Sequence, residues 1–495
     1  MGINWLGVLF VIGWLLGGFY AVEFAETKAL RDHIPAKLFP YITLLSLFLG
    51  PLILLFMYAD KMFMSSIAQW FENAKAYRSR KNAITILDAH GRELSDLNPS
   101  LSGDVNHALP IMKRIFQEAF NQHASDIFFD PKGNGAITVR QRVDGVLRQV
   151  DEILPPLSNK LLNVIKVYAD MDITEKRRPQ DGSFNIVSNN HSASLRVASV
   201  GAFGGEKVSI RILGTSSGPM TLEDAGLRGG YLKCMQDAVR MPSGMILICG
   251  PTGSGKTTTL YALLKSIDYR MKNVISIEDP IEHVIPNVSQ MEVNEKADIT
   301  FGKLLRNSLR QNPDIICVGE IRDEETAEVA VHAAQTGHLI IATVHSNDNI
   351  GTIDRLVNLG VPLRSVAGVL QIIVSQRLVR KLCDCAVPDT PSPELVEYLQ
   401  LAGLPTNGLR RACGCKKCHG SGYSGRVAIF DIMVMNNRLR EIFENEQSTM
   451  ATVKIELEKE HGSSIMAYEG YKLAAAGITS VDEVARVTFD MEHSF

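Results

Sequence analysis

The sequence predicts an α/β fold, because short apolar strands alternate with helices from Met241 onward, as they do in a parallel sheet. Two observations support this prediction. The apolar run Met245–Cys249 leads into a glycine-rich loop and then into a helix over Thr258–Ile267. Three further apolar runs each end at charged or polar residues. Ligands bind at the carboxyl ends of parallel strands, so one edge of this sheet is the predicted site.

The glycine-rich loop matches the phosphate-binding pattern G-x-x-x-x-G-K-[ST]. Its glycines let backbone N–H groups curl around phosphate oxygens, and the following helix adds positive potential at its N-terminus. Lys256 would reach the β- and γ-phosphates of a nucleotide, and Thr257 would hold Mg²⁺. An accidental glycine-rich turn is the alternative, which the flanking strand and helix disfavour. The predicted nucleotide-binding residues are Gly250, Pro251, Thr252, Gly253, Ser254, Gly255, Lys256, Thr257 and Thr258.

The other three strands, over 273–277, 314–318 and 338–344, end at residue types suited to catalysis. Packing explains each residue alone, but it is a weak explanation for an acid, a second acid and a histidine at three successive strand ends. A carboxylate within hydrogen-bond reach of a water molecule can act as its general base. The predicted catalytic residues are Lys256, Glu278, Glu320 and His345.

Two long apolar runs, over 5–22 and 38–59, precede every globular signal. Each is close to the roughly 20 residues that a helix needs to cross a bilayer. Buried core helices are the alternative. We predict a transmembrane hairpin over 1–61 that contacts membrane lipid. Basic residues follow within 61–81 and place the rest of the chain in the cytoplasm.

A polar linker over 62–104 and a small α+β domain over 105–215 come next. Pro110 is expected to open the first helix of this domain. Two alternating runs flank Asp144-Gly145, which is a strong hairpin signal. The other predicted elements are a helix over 157–170, strands over 184–187, 194–200 and 207–213, and a second linker over 216–240.

Arginines mark the strands of the small domain at positions Arg140, Arg142, Arg196 and Arg211. A solvated strand face is one explanation. Contact with a triphosphate is the other, because guanidinium groups bind phosphate oxygens in a bidentate manner. The prediction ranks Arg196 and Arg211 ahead of Arg142 and Arg140, and it leaves both explanations open.

The composition argues against a protein built to bind nucleic acid and points to a metal site. The 495 residues carry a net charge of −3, which argues against a surface built throughout for nucleic acid. We find no basic stripe with interleaved aromatic residues either. Five of the eight cysteines lie between Cys383 and Cys418. In a cytosolic chain such a cluster more often binds metal than forms disulfides.

Several strings of residues between Ala108 and Val487 resemble motifs of the secretion and pilus-assembly ATPases, the type II secretion and type IV pilus motor family. Gly319 stands where other ATPases carry aspartate, and Phe128 where this family usually has histidine. The similar stretches are 275–283 (aspartate box), 305–323 (Walker B region), 336–346 (histidine box), and, in the first domain, 124–127, 142–145, 177–182 and 205–211.

The resemblance implies an ATP-hydrolysing homohexamer in which a PAS-like domain precedes a RecA-like domain, here over 241–382. It implies ATP and Mg²⁺ as cofactors and an inner-membrane platform protein as partner. It also implies that Glu320 is the general base, with Glu278 as the alternative. Many members carry a soluble amino-terminal module where this chain has the predicted hairpin.

The resemblance further implies one structural zinc ion in the segment 383–430. Family members carry two C-x-x-C pairs, whereas the first pair here is C-x-C, one residue short. Free thiols are the alternative. The predicted ligands are Cys383, Cys385, Cys415 and Cys418, for which Cys413 or His419 could substitute.

Residues 431–495 predict a helical subdomain, and its tail over 475–488 is similar to that of assembly and secretion motors. The function predicted first is an ATP-driven motor for type IV pilus assembly or type II-like secretion at the bacterial inner membrane. The alternatives are a DNA or conjugation motor on the same core, a retraction motor, and a scaffold that does not hydrolyse ATP. No nucleic-acid partner is predicted.

Overall fold

The structure is a computed structural model. It describes residues 84–88, 90–93, 102–188, 191–214, 221–444, 451–453, 455–456 and 465–488. The chain divides into two compact units, and Ile86–Val187 with His191–Phe495 form the unit that contains almost all described residues.

The first part of this unit is a seven-stranded sheet with helices against one face. Its strand order is β1-β5-β6-β7-β2-β3-β4. Side chains alternate along β3 between buried and half-buried, as expected for a sheet with one covered face. Phe184 of the sheet packs against Phe116 and Tyr168 of the two helices. The elements are β1 Thr85–Leu87, α1 Ser102–Asn121, β2 Asp126–Pro131, β3 Ile137–Val143, β4 Val146–Ile153, α2 Leu157–Tyr168, β5 Gln180–Ser188, β6 His191–Ala202 and β7 Gly205–Leu213.

The predicted hairpin between β3 and β4 is confirmed. Asp144 and Gly145 have φ values of 50° and 82°, and a two-residue type I′ turn requires positive φ at both positions. The prediction that Pro110 opens a helix was wrong, because α1 begins at Ser102 and carries Pro110 in its interior. Ala108 and Met112, four residues apart on one face, are fully buried, and this packing offsets the hydrogen bond that proline removes.

The second part is a seven-stranded sheet in the order β10-β9-β11-β12-β8-β13-β16, of which β16 (Tyr423–Val434) comes last in the chain. All neighbours pair in parallel except β13 and β16, which pair antiparallel. The elements up to β13 are α3 Gly229–Ala238, β8 Gly244–Cys249, α4 Lys256–Lys265, β9 Val274–Glu278, β10 Ser289–Glu292, α5 Phe301–Ser308, β11 Ile315–Val318, α6 Glu324–Gln335, β12 Leu339–Val344, α7 Asn349–Asn358, α8 Leu363–Val369 and β13 Leu370–Leu382.

Strand β8 shows why this sheet needs helices on both faces. All of its residues are buried. Met245 and Leu247 belong to one apolar cluster, whereas Ile246 and Ile248 belong to another on the opposite face. Parallel strands covered on both faces are continuous apolar runs in sequence, which is the pattern that predicted these four strands.

The carboxyl-terminal part extends from β13. Its last helix is tied to that strand by Glu483, which is buried and accepts hydrogen bonds from Arg380 (2.7 Å) and Arg486 (2.7 Å). Burial raises the pKa of Glu483, but these hydrogen bonds outweigh it and lower the pKa to about 2. The elements are β14 Val387–Pro388, α9 Pro393–Leu401, β15 Arg410–Arg411, β16 Tyr423–Val434, α10 Asn437–Glu444, α11 Ile465–Ala475 and α12 Val481–Thr488.

The predicted transmembrane hairpin over 1–61 lies outside the described residues. Within the described ranges, we find no helix that combines the length and hydrophobicity of a bilayer-spanning segment.

Candidate functional site

The loop between β8 and α4 has the backbone that phosphate binding requires. Gly250, Gly253 and Gly255 have φ values of 148°, 78° and 90°, a region that other residues avoid. A Cβ on Gly250 would lie 2.5 Å from the Gln376 carbonyl oxygen, so this position has no room for a side chain. The Oγ of Ser254 is buried without a hydrogen-bond partner, which fits a loop shaped around phosphate oxygens.

Lys256 lies at the start of α4 and its ammonium group turns back over the loop. Its Nζ donates hydrogen bonds to the carbonyl oxygens of Gly250 (2.8 Å) and Pro251 (3.1 Å). Burial lowers the pKa of Lys256, and the charge of Glu320 partly opposes this effect. The lysine is thus held where phosphate oxygens would compete for its three N–H donors.

Glu320 and His345 extend this contact into a chain of polar groups. His345 Nδ1 lies 3.4 Å from Lys256 Nζ, and His345 Nε2 lies 3.1 Å from Glu320 Oε1. Burial and the neighbouring Lys256 charge lower the pKa of His345, which favours the neutral imidazole. A neutral imidazole accepts from Lys256 and donates to Glu320. Arg322 Nε also donates to Glu320, at 2.7 Å, and Arg322 contacts Asp279.

Glu278 has different surroundings. It is the last residue of β9, is only 4% exposed, and accepts hydrogen bonds from Ser276 Oγ (2.6 Å), Gln290 Nε2 (2.9 Å) and the Tyr261 hydroxyl. Burial and the hydrogen bond to Glu278 raise the pKa of Tyr261. Of the predicted strand-end residues, Glu320 and His345 therefore join Lys256, whereas Glu278 is engaged by a separate set of donors.

The surroundings of Gly319 explain why this position does not carry the aspartate that other ATPases have. A Cβ there would lie 3.0 Å from the Ile277 carbonyl oxygen and 3.3 Å from Glu278 Cα, because β9 and β11 are adjacent. A longer side chain would need the neighbouring strand to move. Any Mg²⁺ ligand must then come from another position, such as the half-buried Thr257 at the start of α4.

Three of the four predicted arginines of the first domain lie, together with Asp126, in one row across four strands. Arg196 pairs with Arg211 across β6 and β7, and Asp126 of β2 lies opposite both Arg211 and Arg142. Directly opposed residues share a sheet face, so these side chains are neighbours. Asp126 contacts Arg211 at 3.1 Å and Arg142 at 3.4 Å, whereas Arg140 pairs with another carboxylate, Asp130, at 2.7 Å.

A cavity of about 480 Å³ opens beside the loop. Gly255 and Thr258 line it from the loop and α4, Asp144 from the first domain, and Gly425 and Arg426 from β16. This volume lies within the range of small-molecule sites. Sequence reasoning missed the cavity, although Val143 and Asp144 in its wall belong to the stretch 142–145 that matches a family motif.

Four cysteines form a compact cluster. The sulfur atoms of Cys383, Cys385, Cys415 and Cys418 all lie within 4.8 Å of one another. Three of the separations are 3.9, 3.9 and 3.7 Å. A tetrahedral zinc site with sulfur ligands at about 2.3 Å has edges of roughly 3.8 Å, so these residues fit the ion. Cys413 is exposed and, like His419, is not part of this four-sulfur group.

The cluster follows from strand pairing. β13 and β16 pair Leu382 with Tyr423. Cys383 and Cys385 come directly after the first of these residues, and Cys415 and Cys418 shortly before the second. The backbone N–H groups of Cys415 and Gly422 donate to Cys418 Sγ at 3.1 and 3.2 Å, which favours a thiolate.

The chain is similar to known proteins that identify its family. The family model described as "Type II/IV secretion system protein" matches residues 103–486. Type II secretion system protein E of Pseudomonas aeruginosa is 40% identical over 379 residues, which cover 76% of this chain and 75% of that protein. Type IV pilus assembly ATPase PilB of Thermus thermophilus is 39% identical over 390 residues, which cover 78% of this chain and 44% of that protein.

A solved structure shares the architecture. The pilus retraction motor PilT with bound ADP aligns at a TM-score of 0.51 and 26% identity, over 77% of this chain and 97% of that one. The matched regions contain the phosphate-binding loop, the Glu320 and His345 strand ends, and the four cysteines. The chain therefore belongs to the family of type II/IV secretion system proteins, and it is an ATPase of that family.

Proposed function

We propose that this chain hydrolyses ATP as a motor for type IV pilus assembly or type II-like secretion. The observation that carries the proposal is the chain of contacts from Lys256 through His345 to Glu320, at the edge of the sheet beside the phosphate-binding loop. These groups supply what phosphoryl transfer needs, namely positive charge at the phosphates and a carboxylate that can orient water.

Each of these residues has a separate role in ATP hydrolysis. The loop backbone and Lys256 hold the phosphates, and Thr257 holds Mg²⁺, which neutralises phosphate charge when bound. Glu320 accepts a proton from the attacking water, and Glu278 is the alternative for this role. His345 keeps Glu320 oriented through its Nε2 hydrogen bond. Arg196, Arg211 and Arg142 would stabilise negative charge on the phosphates from the first domain, where phosphate oxygens would compete with Asp126 for Arg211 and Arg142.

The four-cysteine cluster holds a structural zinc ion in this proposal. The support is the fit of the sulfur separations to a tetrahedral site and the backbone donors that favour thiolate. The ion would join the end of β13 to the start of β16 and so brace the sheet edge that carries the carboxyl-terminal helices.

The assembly is a homohexamer on the cytoplasmic side of the inner membrane, which pushes on a platform protein. The resemblance to the secretion and pilus motor family implies the hexamer and the platform protein, and the relatives' names, a secretion protein and a pilus assembly ATPase, support a role in secretion or pilus assembly. The apolar runs over 5–22 and 38–59 anchor each subunit in lipid, and the basic residues after them support the cytoplasmic orientation of the ATPase domain.

The test is ATP hydrolysis by purified full-length protein in detergent, measured with and without DNA. We expect turnover that requires Mg²⁺ and that single- or double-stranded DNA changes less than twofold. A rise of tenfold or more with DNA would favour the DNA motor, and ATP binding without hydrolysis would favour the scaffold. Lys256→Ala is the control, because it removes charge from the phosphates and should abolish turnover.

A further inference from the structure

The turn between β3 and β4 reaches across to β16. Asp144 Oδ2 accepts a hydrogen bond from the Gly425 backbone N–H at 3.0 Å, and Asp144 Oδ1 lies 3.6 Å from Arg426 Nε. The Asp144 side chain is only 15% exposed, whereas its partners Gly425 and Arg426 lie at the surface. A carboxylate with both a backbone donor and a guanidinium partner is held more firmly than a surface ion pair.

The partners of this contact also line the cavity beside the phosphate-binding loop. Asp144, Gly425 and Arg426 form one part of its wall, and Gly255 and Thr258 form another. Because Thr258 follows the two residues assigned to the phosphates and Mg²⁺, the cavity lies where the nucleoside part of a bound nucleotide can extend. The contact between the two domains therefore forms part of the wall of this cavity.

The same turn is linked to the arginine row. Arg142 NH1 donates to the Gly145 carbonyl oxygen at 3.1 Å, and Arg142 contacts Asp126 in the row. Neither of these contacts uses the Asp144 carboxylate, so Arg142 keeps its position when only the charge of Asp144 is removed. At the other end of the row, burial and the charge of Glu278 raise the pKa of Glu282 in the ATPase domain, and the charge of Arg196 partly opposes this rise.

We propose that Asp144 clamps the first domain onto the Gly425–Arg426 segment and so closes the cavity around the nucleoside part of the nucleotide. Asp144 is a positioning residue, since it acts through the turn and through Arg426 and touches no reacting atom. This inference rests on the proposed ATPase function. It goes beyond that function because it separates recognition of the nucleoside from recognition of the phosphates.

The experiment measures the affinity of full-length protein for a fluorescent ADP and, by competition, for inorganic tripolyphosphate. Tripolyphosphate offers phosphates without a nucleoside. Asp144→Asn is the informative variant, because asparagine tolerates the positive φ of 50° and keeps the shape while losing the charge. We expect ADP affinity to fall about tenfold with tripolyphosphate affinity unchanged, and KM for ATP to rise more than kcat falls.

Arg426→Ala and the double variant extend the test. If the two residues act through their contact, the losses of ADP affinity will be clearly less than additive. Asp151→Asn is the matched control, since Asp151 lies on the same hairpin and pairs with Arg114 away from the cavity. It should bind ADP as the parent does.

Unchanged ADP affinity in Asp144→Asn would overturn the clamp while leaving the ATPase proposal intact. An equal loss for ADP and tripolyphosphate would also overturn it, because the effect would then lie in the phosphate loop. A parent protein that binds no ADP would overturn both proposals.

Discussion

Glu278 and Glu320 lie at the carboxyl ends of the neighbouring strands β9 and β11, yet their carboxylates have different surroundings. Glu278 is the final residue of β9 and receives three hydrogen-bond donors in a buried setting. Glu320 comes after the end of β11 and meets His345 and Arg322. A general base needs lone pairs free to accept a proton from water, and Glu320 satisfies this condition better.

Substitution of each carboxylate separates the two roles. Glu320→Gln should bind ATP and lose roughly 10²–10⁴ in turnover, because the amide keeps the shape and lacks basicity. Glu278→Gln should lose far less turnover and instead lower the melting temperature, since buried donors lose a charged acceptor worth roughly 1–3 kcal/mol. Turnover and bound nucleotide are measured on both variants. Near-parental turnover in Glu320→Gln would make Glu278 the base.

Sequence spacing predicted the loop and the strand ends, because a parallel sheet brings carboxyl ends to one edge whatever the side chains do. It could not predict that Glu278 faces Tyr261 while Glu320 faces His345. That difference depends on whether the residue lies inside the strand or beyond it, and strand ends are fixed by pairing with neighbours. The prediction placed both residues just beyond a strand, Glu278 directly after the strand over 273–277 and Glu320 two residues after the strand over 314–318.

At the scale of elements, the cysteine cluster also shows what sequence spacing cannot predict. The sequence shows a C-x-C pair, but the closeness of the two pairs arises from the β13–β16 register. The same reasoning applies to Pro110. Local preference predicted that a helix begins there, but the helix continues on both sides of Pro110 because the face that contains Ala108 is packed in the core. Pairing and packing between distant residues are the information that local patterns lack.

The cluster should hold about one zinc ion per chain, measured by elemental analysis of protein purified without chelators. Cys415→Ser and Cys418→Ser should each lose the ion and lower the melting temperature by roughly 5 °C or more, because metal binding contributes to folding. Cys413→Ser is the matched control, since Cys413 is exposed and outside the cluster. Protein that contains no zinc, or loses it only with Cys413→Ser, would contradict the assignment.

At the scale of the whole molecule, the chain combines an ATPase unit with an amino-terminal segment of different composition. The ATPase part has the architecture of the family that matches residues 103–486, and the sequence motifs predicted most of its elements. The predicted anchor depends on hydrophobicity alone. Two apolar helices whose backbone groups are satisfied internally do not leave lipid at a useful rate, so an anchored subunit would transmit force without free rotation.

The measurement that tests this account most directly is ATP hydrolysis in cell fractions that contain the full-length chain and no other pilus or secretion component. We expect the chain to remain with membranes after a carbonate wash, and salt-washed membranes to hydrolyse ATP above the level of membranes with Lys256→Ala. A fragment that starts near Asp104 should appear in the soluble fraction and still hydrolyse ATP. Full-length chain in the soluble fraction would contradict the anchor, and membranes no more active than those with Lys256→Ala would contradict the motor.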